Sequence, residues 1–234
     1  NGLRYYIRKN NQPANRAELR LIVDAGAIDE DDDQLGLAHF TEHMVFKGTK
    51  SFTKQEMINY LNSIGLGFGG GLNAFTSMEN TAYTLSAPTD NEEQLKKAFH
   101  ILSELAFHAV FDHKELEEER GVIIEEWRMY QGASQRIRDR VHKFLLAESK
   151  YADRTPIGTY DIISSFKKDT ILRFYNDWYR PDLMSVLVVG DIEPEEIEKI
   201  IIEYFSGVDL PEDRREKIDY LVPDHIDPRA IVAI

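Results

Sequence analysis

The 234-residue chain has no cysteine. This excludes disulfide staples and thiolate metal ligands, so any metal must sit on His, Asp or Glu. No apolar run approaches the roughly 18 to 20 residues needed to cross a bilayer, and no basic segment followed by an apolar stretch opens the chain. Positive charge is also scarce: 28 Lys and Arg stand against 41 Asp and Glu, a net charge of −13. That balance argues against a nucleic-acid or anionic-membrane surface, which would need clustered basic residues. What is present, 42% hydrophobic and 29% charged residues, suits a globular protein with one large core or two small ones.

The opening residues after Asn1 and Gly2 are strand-like, and so are the last, from Ile231 to Ile234; this patterning leads us to expect a segment of a longer chain. Between them, Leu19 to Val23 reads as a strand, and Gly36 to Phe46 as a short apolar helix after the acidic run Asp29 to Asp33. A helix from Thr53 to Ile64, capped by Ser51 or Thr53, ends at Gly65. The glycine-rich stretch Gly65 to Gly71 then permits a tight turn before two paired strands, Leu72 to Ser77 and Thr81 to Ala87. Helical periodicity follows over Glu92 to Ala109, Lys114 to Tyr130, Gln135 to Ser149, Asp169 to Tyr179 and Glu195 to Phe205, with a buried strand at Ser185 to Val189. The order predicts an α+β fold, a mixed and largely antiparallel sheet covered by helices. Residues 1–205 form the expected domain, and 206–234 a linker and the start of another.

The sharpest chemical signal is His39-Phe40-Thr41-Glu42-His43. Residues four apart on a helix share a face one turn apart, so both imidazoles can reach one ion. Glu42, beside them, is close enough to take a proton from an attacking water. The His-x-x-Glu-His order is the inverted form of a common metallopeptidase motif.

A catalytic zinc needs a third protein ligand, and the candidate carboxylates crowd one downstream helix: Glu115, Glu117, Glu118, Glu119, Glu125 and Glu126. Most must face water. Glu119 and Glu126 share a stripe with Val122, Ile123 and Tyr130 that reads as inward, and an inward carboxylate is costly unless paired or metal-bound. Periodicity by itself leaves Glu125 open beside Glu126, because the two differ by only about 100° around the axis.

The run from Gly36 to Thr49, Gly-Leu-Ala-His-Phe-Thr-Glu-His-Met-Val-Phe-Lys-Gly-Thr, closely resembles the zinc segment of the pitrilysin (insulinase-type) metallopeptidase family. Further segments resemble it in the same order: Leu72 to Ser77 with Thr81 and Tyr83; Glu119-Arg120, Val122 to Ile124 and Glu126; and Tyr179-Arg180-Pro181 leading to Val188-Val189-Gly190-Asp191. Together they span nearly the whole chain. The resemblance implies a two-layer sandwich of the mitochondrial processing peptidase-like type. It also implies zinc held by His39, His43 and Glu126, with Glu42 as general base and Glu119 as a carboxylate that orients the site.

The same resemblance implies that a peptide substrate binds as an added strand beside Asn73, Ala74, Phe75 and Thr76, with Phe75 against a substrate side chain. It implies a second homologous half, on this polypeptide or a partner, that supplies an Arg and a Tyr, so the segment alone should fold, bind zinc and cleave poorly. The spacing from His43 to Glu126 exceeds that of the best-known members; the lengthened, glycine-containing segment is similar to that of bacterial PqqL-like members, which carries the expectation of a periplasmic or cell-envelope location. The alternative is a non-catalytic homologue serving as a scaffold or partner-binding subunit, a class that typically loses the zinc residues. A third reading, a metal-dependent hydrolase of a non-peptide substrate, fits the zinc chemistry but not the edge strand. His100, His108, His113, His142 and His225 have no matching partners and read as structural or solvated.

Overall fold

Alternation of apolar and polar residues over Arg16–Val23 places Ala17, Leu19, Leu21 and Val23 on one face, and all four are buried. In the computed structural model, which describes residues 1–66, 72–224 and 230–232, this segment is the middle strand of a five-stranded sheet. In chain order the elements are β1 (Arg4–Lys9), β2 (Arg16–Val23), α1 (Leu37–Met44), α2 (Lys54–Ser63), β3 (Leu72–Thr76) and β4 (Thr81–Pro88). There follow α3 (Glu92–Phe107), α4 (His113–Met129), α5 (Ala133–Leu145), α6 (Tyr160–Ser165), α7 (Lys168–Trp178), β5 (Met184–Gly190) and α8 (Pro194–Phe205).

The sheet order is β1-β5-β2-β4-β3. Only β1 and β5 run parallel; the other three pairings are antiparallel. The register aligns Tyr83, Leu21 and Val186 in one row and Leu85, Leu19 and Val188 in the next, so a continuous apolar face meets the helices. The opposite face carries Glu18, Arg20 and Thr84 and is largely open. This is the expected α+β sheet covered by helices, with one wet face. Among the described residues no helix is long and apolar enough to cross a membrane.

Helix boundaries follow local chemistry. Thr53, not Ser51, caps α2, and it forms a reciprocal capping box with Glu56. The side chain of Asp112 accepts from the amides of Lys114 and Glu115 to start α4. Helix α5 stops at Leu145, earlier than periodicity predicts, because Glu148 turns the chain through a positive φ of 67°. Helix α6 was not legible from pattern: at six residues it is too short to display a period. The glycine stretch 67–71, His225 and the terminal residues 233–234 lie outside the described residues. Residues 206–224 hold neither helix nor strand, yet they are tied down: Arg215 bonds both oxygens of Asp31, and Lys217 reaches the buried Asp29 at 2.9 Å.

Candidate metal centre and substrate edge

Helix α1 begins at Gly36, whose φ of +96° suits glycine. It is packed against Gly158, where an added Cβ would lie 2.4 Å from the Gly36 Cα. The first turn is held from below by Glu30, a fully buried carboxylate that accepts from the Gly36 and Ala38 amides at 3.0 and 2.8 Å. Burial pushes the Glu30 carboxyl up to about 8 despite these amides. So anchored, α1 buries Leu37, Phe40, Thr41 and Met44 and turns His39 and His43 toward α4.

On α4 the buried residues are Leu116, Glu119 and Ile123, and half-buried Glu126 continues the same three-four spacing. Two members of the expected stripe fall elsewhere. Val122 is 45% exposed because its position lies at the outer margin of that stripe, and Tyr130 is 50% exposed because it caps the helix beyond the covering elements. Glu125 points to solvent and pairs with Arg128, so the tertiary structure separates it from Glu126.

His39 Nε2 and His43 Nε2 lie 3.6 and 3.9 Å from Oε2 of Glu126, and the three ligand atoms fall within 4.8 Å of one another. These separations are too long for hydrogen bonds. They approach the roughly 3.3 Å between ligands that each stand about 2.0 to 2.1 Å from a tetrahedral zinc. The donor set of two imidazoles and one carboxylate suits that ion. Burial and the neighbouring His43 lower the His39 pKa to about 4, so the ring is neutral near pH 7. Its Nδ1 is buried with no hydrogen-bond partner among the described residues.

His43 is held differently. Its Nδ1 lies 2.7 Å from Glu119 Oε1. Glu119 is 4% exposed; burial acts to raise its pKa, but His43 and Lys47 more than offset this and hold it below the usual value. An ionised carboxylate only accepts, so Nδ1 carries the proton and Nε2 presents its lone pair toward Glu126. Burial works against a charged His43, yet the Glu119 bond and the carboxylates of Glu126 and Glu42 raise its pKa overall. Lys47, which closes the Glu119 pair, was not singled out in the sequence; the available signal was its position four residues after His43, on the same side of the chain.

Glu42 is 6% exposed, and burial raises its pKa against the opposing hydrogen bond from Thr76, whose Oγ1 lies 2.7 Å from Oε2. Glu42, His39, His43 and Glu126 line a cleft of about 760 Å³ with Ala74, Phe75 and Thr76. Strand β3 is the outermost strand of the sheet on this side, so its free edge borders the site. The four β3 residues divide by strand alternation. Asn73 and Phe75 are exposed, Phe75 at 57%, while Ala74 and Thr76 are half-buried. Asn73 lies in the adjoining depression with Lys47 and Glu119 rather than in the main cleft, and its Oδ1 accepts from the next amide in the strand, that of Ala74.

The far wall of the cleft, with Arg138 and His142 from α5 and Arg154 beyond it, carried no sequence motif. His142 reads as structural here: its Nε2 donates to the carbonyl of Tyr151 at 2.8 Å. His100 packs between the rings of Phe52 and Tyr204.

Comparison with known proteins identifies the family. Residues 5–155 match the family model for insulinase (peptidase family M16), and residues 165–232 match that for the peptidase M16 inactive domain. The probable zinc protease PqqL of Haemophilus influenzae is 40% identical over 224 residues, covering 95% of this chain and 24% of the relative. The crystal structure of the first half of the periplasmic protease PqqL from Escherichia coli superposes with a TM-score of 0.87 at 37% identity, covering 93% of this chain and 46% of that one. Pitrilysin shares the fold, with a TM-score of 0.78 at 22% identity over 93% of this chain and 23% of its own. The chain thus spans about a quarter of the length of the curated PqqL relatives it matches. With the inverted histidine-glutamate motif, a carboxylate that converges on its two histidines and a family match over most of its length, the chain belongs to the insulinase family of zinc proteases, peptidase family M16.

Proposed function

We propose that the chain is the catalytic, zinc-binding part of an endopeptidase that hydrolyses peptides or unfolded segments bound as an added β-strand. The observation that carries this reading is the convergence of His39, His43 and Glu126 next to buried Glu42, all facing the free edge of β3. An extended peptide laid along β3 gains main-chain hydrogen bonds without a strict sequence demand. His39, His43 and Glu126 would hold zinc, which when bound would supply polarisation of the scissile carbonyl and acidification of water. Glu42 takes the proton of the attacking water and later delivers it to the leaving amine, a task helped by the raised pKa that burial gives it. Glu119 keeps His43 in the tautomer that coordinates.

Residues 1–205 are proposed as one domain, with 206–234 leading into the next. The second family match begins at residue 165 and includes β5, but β5 pairs with both β1 and β2, which favours keeping 1–205 together. The remaining length of the relatives supports a second homologous half that completes the site. The periplasmic location stated for the Escherichia coli protein supports the same compartment here.

The match of residues 165–232 to an inactive-domain model favours, as second reading, a non-catalytic subunit. Two substitutions in the full-length polypeptide separate the readings. Glu42→Gln should abolish turnover of an unstructured peptide while one zinc is retained, and Glu126→Gln should lose most of the zinc by elemental analysis. A wild-type protein that holds no zinc would favour the scaffold, and a Glu42→Gln protein with full activity would remove Glu42 from its role.

A further inference from the structure

Thr76 lies at the end of β3, directly across from Thr81 in the β3–β4 register. Its hydroxyl has one proton to give, and the contact to Glu42 Oε2 at 2.7 Å is the short one. The rival acceptor, Thr81 Oγ1, is 3.4 Å away, and that hydroxyl commits its own proton to the Ala25 carbonyl at 3.0 Å. Thr81 therefore has nothing left to offer Glu42. Among the described residues Oε1 of Glu42 makes no hydrogen bond, and Glu42 borders the cleft beside His39, His43 and Glu126, the residues of the proposed zinc site.

We propose that Thr76 is a positioning residue for peptide hydrolysis: its hydroxyl holds Oε2 of Glu42 so that Oε1 is the oxygen presented to the attacking water. This rests on the reading of Glu42 as general base. A glutamate side chain has three rotatable bonds, and a charge-assisted hydrogen bond at one oxygen selects one rotamer from several. Because the tether comes from β3, the strand whose free edge receives the substrate backbone also sets the base, and any shift of β3 moves both together. With its donor committed inward, Thr76 serves the substrate through its main chain alone.

The test compares Thr76→Val, Thr76→Ser and Glu42→Gln in the zinc-loaded, full-length polypeptide. Cleavage of an unstructured, internally quenched fluorescent peptide is followed, with circular dichroism and zinc content recorded for each variant. Thr76→Val should keep its fold, its zinc and its KM while kcat falls about tenfold or more, the worth of a hydrogen bond to a charged group. Thr76→Ser should recover most of that loss. A Thr76→Val enzyme with wild-type kcat, or a defect carried in KM that serine does not repair, overturns the positioning role. Should valine disturb the fold or the zinc, Thr76→Ala supplies the same comparison. The Glu42→Gln arm separates the two readings: an inactive, zinc-replete protein upholds the base and leaves Thr76 to be judged on its own variants, whereas an active one overturns both.

Discussion

His43 and Glu119 are 76 positions apart in sequence, yet Nδ1 of one lies 2.7 Å from Oε1 of the other. The contact joins α1 to α4, and because Lys47 closes the second carboxylate oxygen, Glu119 is neutralised from both sides inside the protein. A buried carboxylate so paired fixes the imidazole ring rather than merely touching it.

Glu119→Gln should therefore weaken zinc binding by about 10- to 100-fold without unfolding the chain, as loss of an orienting partner commonly does. Competition against a calibrated chelator measures this directly. Unchanged affinity would mean that His43 is oriented by packing alone.

Acid should release the metal. As a proposed zinc ligand, His43 would coordinate only with Nε2 deprotonated, and its pKa is raised above the ordinary histidine value. Affinity is thus highest above that raised pKa and falls as pH drops through it, by about tenfold per pH unit for one displaced proton. Chelator titrations from pH 8 to pH 5 would trace the decline, and a flat profile would contradict the assignment.

Gly158→Ala places a Cβ 2.4 Å from Gly36 Cα and Leu35 O, at a φ of +69°. The start of α1 must move to accommodate it. The expected cost is about 2 kcal/mol, from backbone strain and overlap together. Thermal unfolding should show a lower Tm, and zinc content should fall with it; a substitution tolerated in both measurements would show that α1 is not pinned at this contact.

Phe75→Ala offers the opposite profile. The ring is 57% exposed, so Tm should change little. If Phe75 packs beside a bound peptide, KM for peptide cleavage by the full-length polypeptide rises severalfold while zinc content is constant. An unaltered KM would limit the role of β3 to its backbone.

Much of this was written in local sequence. The alternation of Leu19, Leu21 and Val23 announces a half-buried strand, the i, i+4 spacing of His39 and His43 announces a shared helical face, and both depend only on the repeat of the element that carries them. The pairing of Leu72 to Ser77 with Thr81 to Ala87 was equally legible, since few residues intervene. Less was visible where neighbours in space decide. Periodicity draws the inward stripe on α4 too broadly, taking in the exposed Val122 and Tyr130, because it gives an angle but not the edge of the surface that covers it.

By itself, then, the sequence determined every helix and strand but the short α6, the sheet's apolar face and the presence of a histidine-glutamate motif, all properties of residues close along the chain. Only the tertiary structure decided that Glu126 rather than Glu125 turns toward the histidines, that Lys47 completes the pair at Glu119, and that the Thr76 hydroxyl serves Glu42. Each of these rests on the approach of α1 to α4 or to β3, and such approaches are set by the packing of side chains distant in sequence, where a rotation of about 100° between adjacent residues separates a carboxylate facing the histidines from a solvated surface charge.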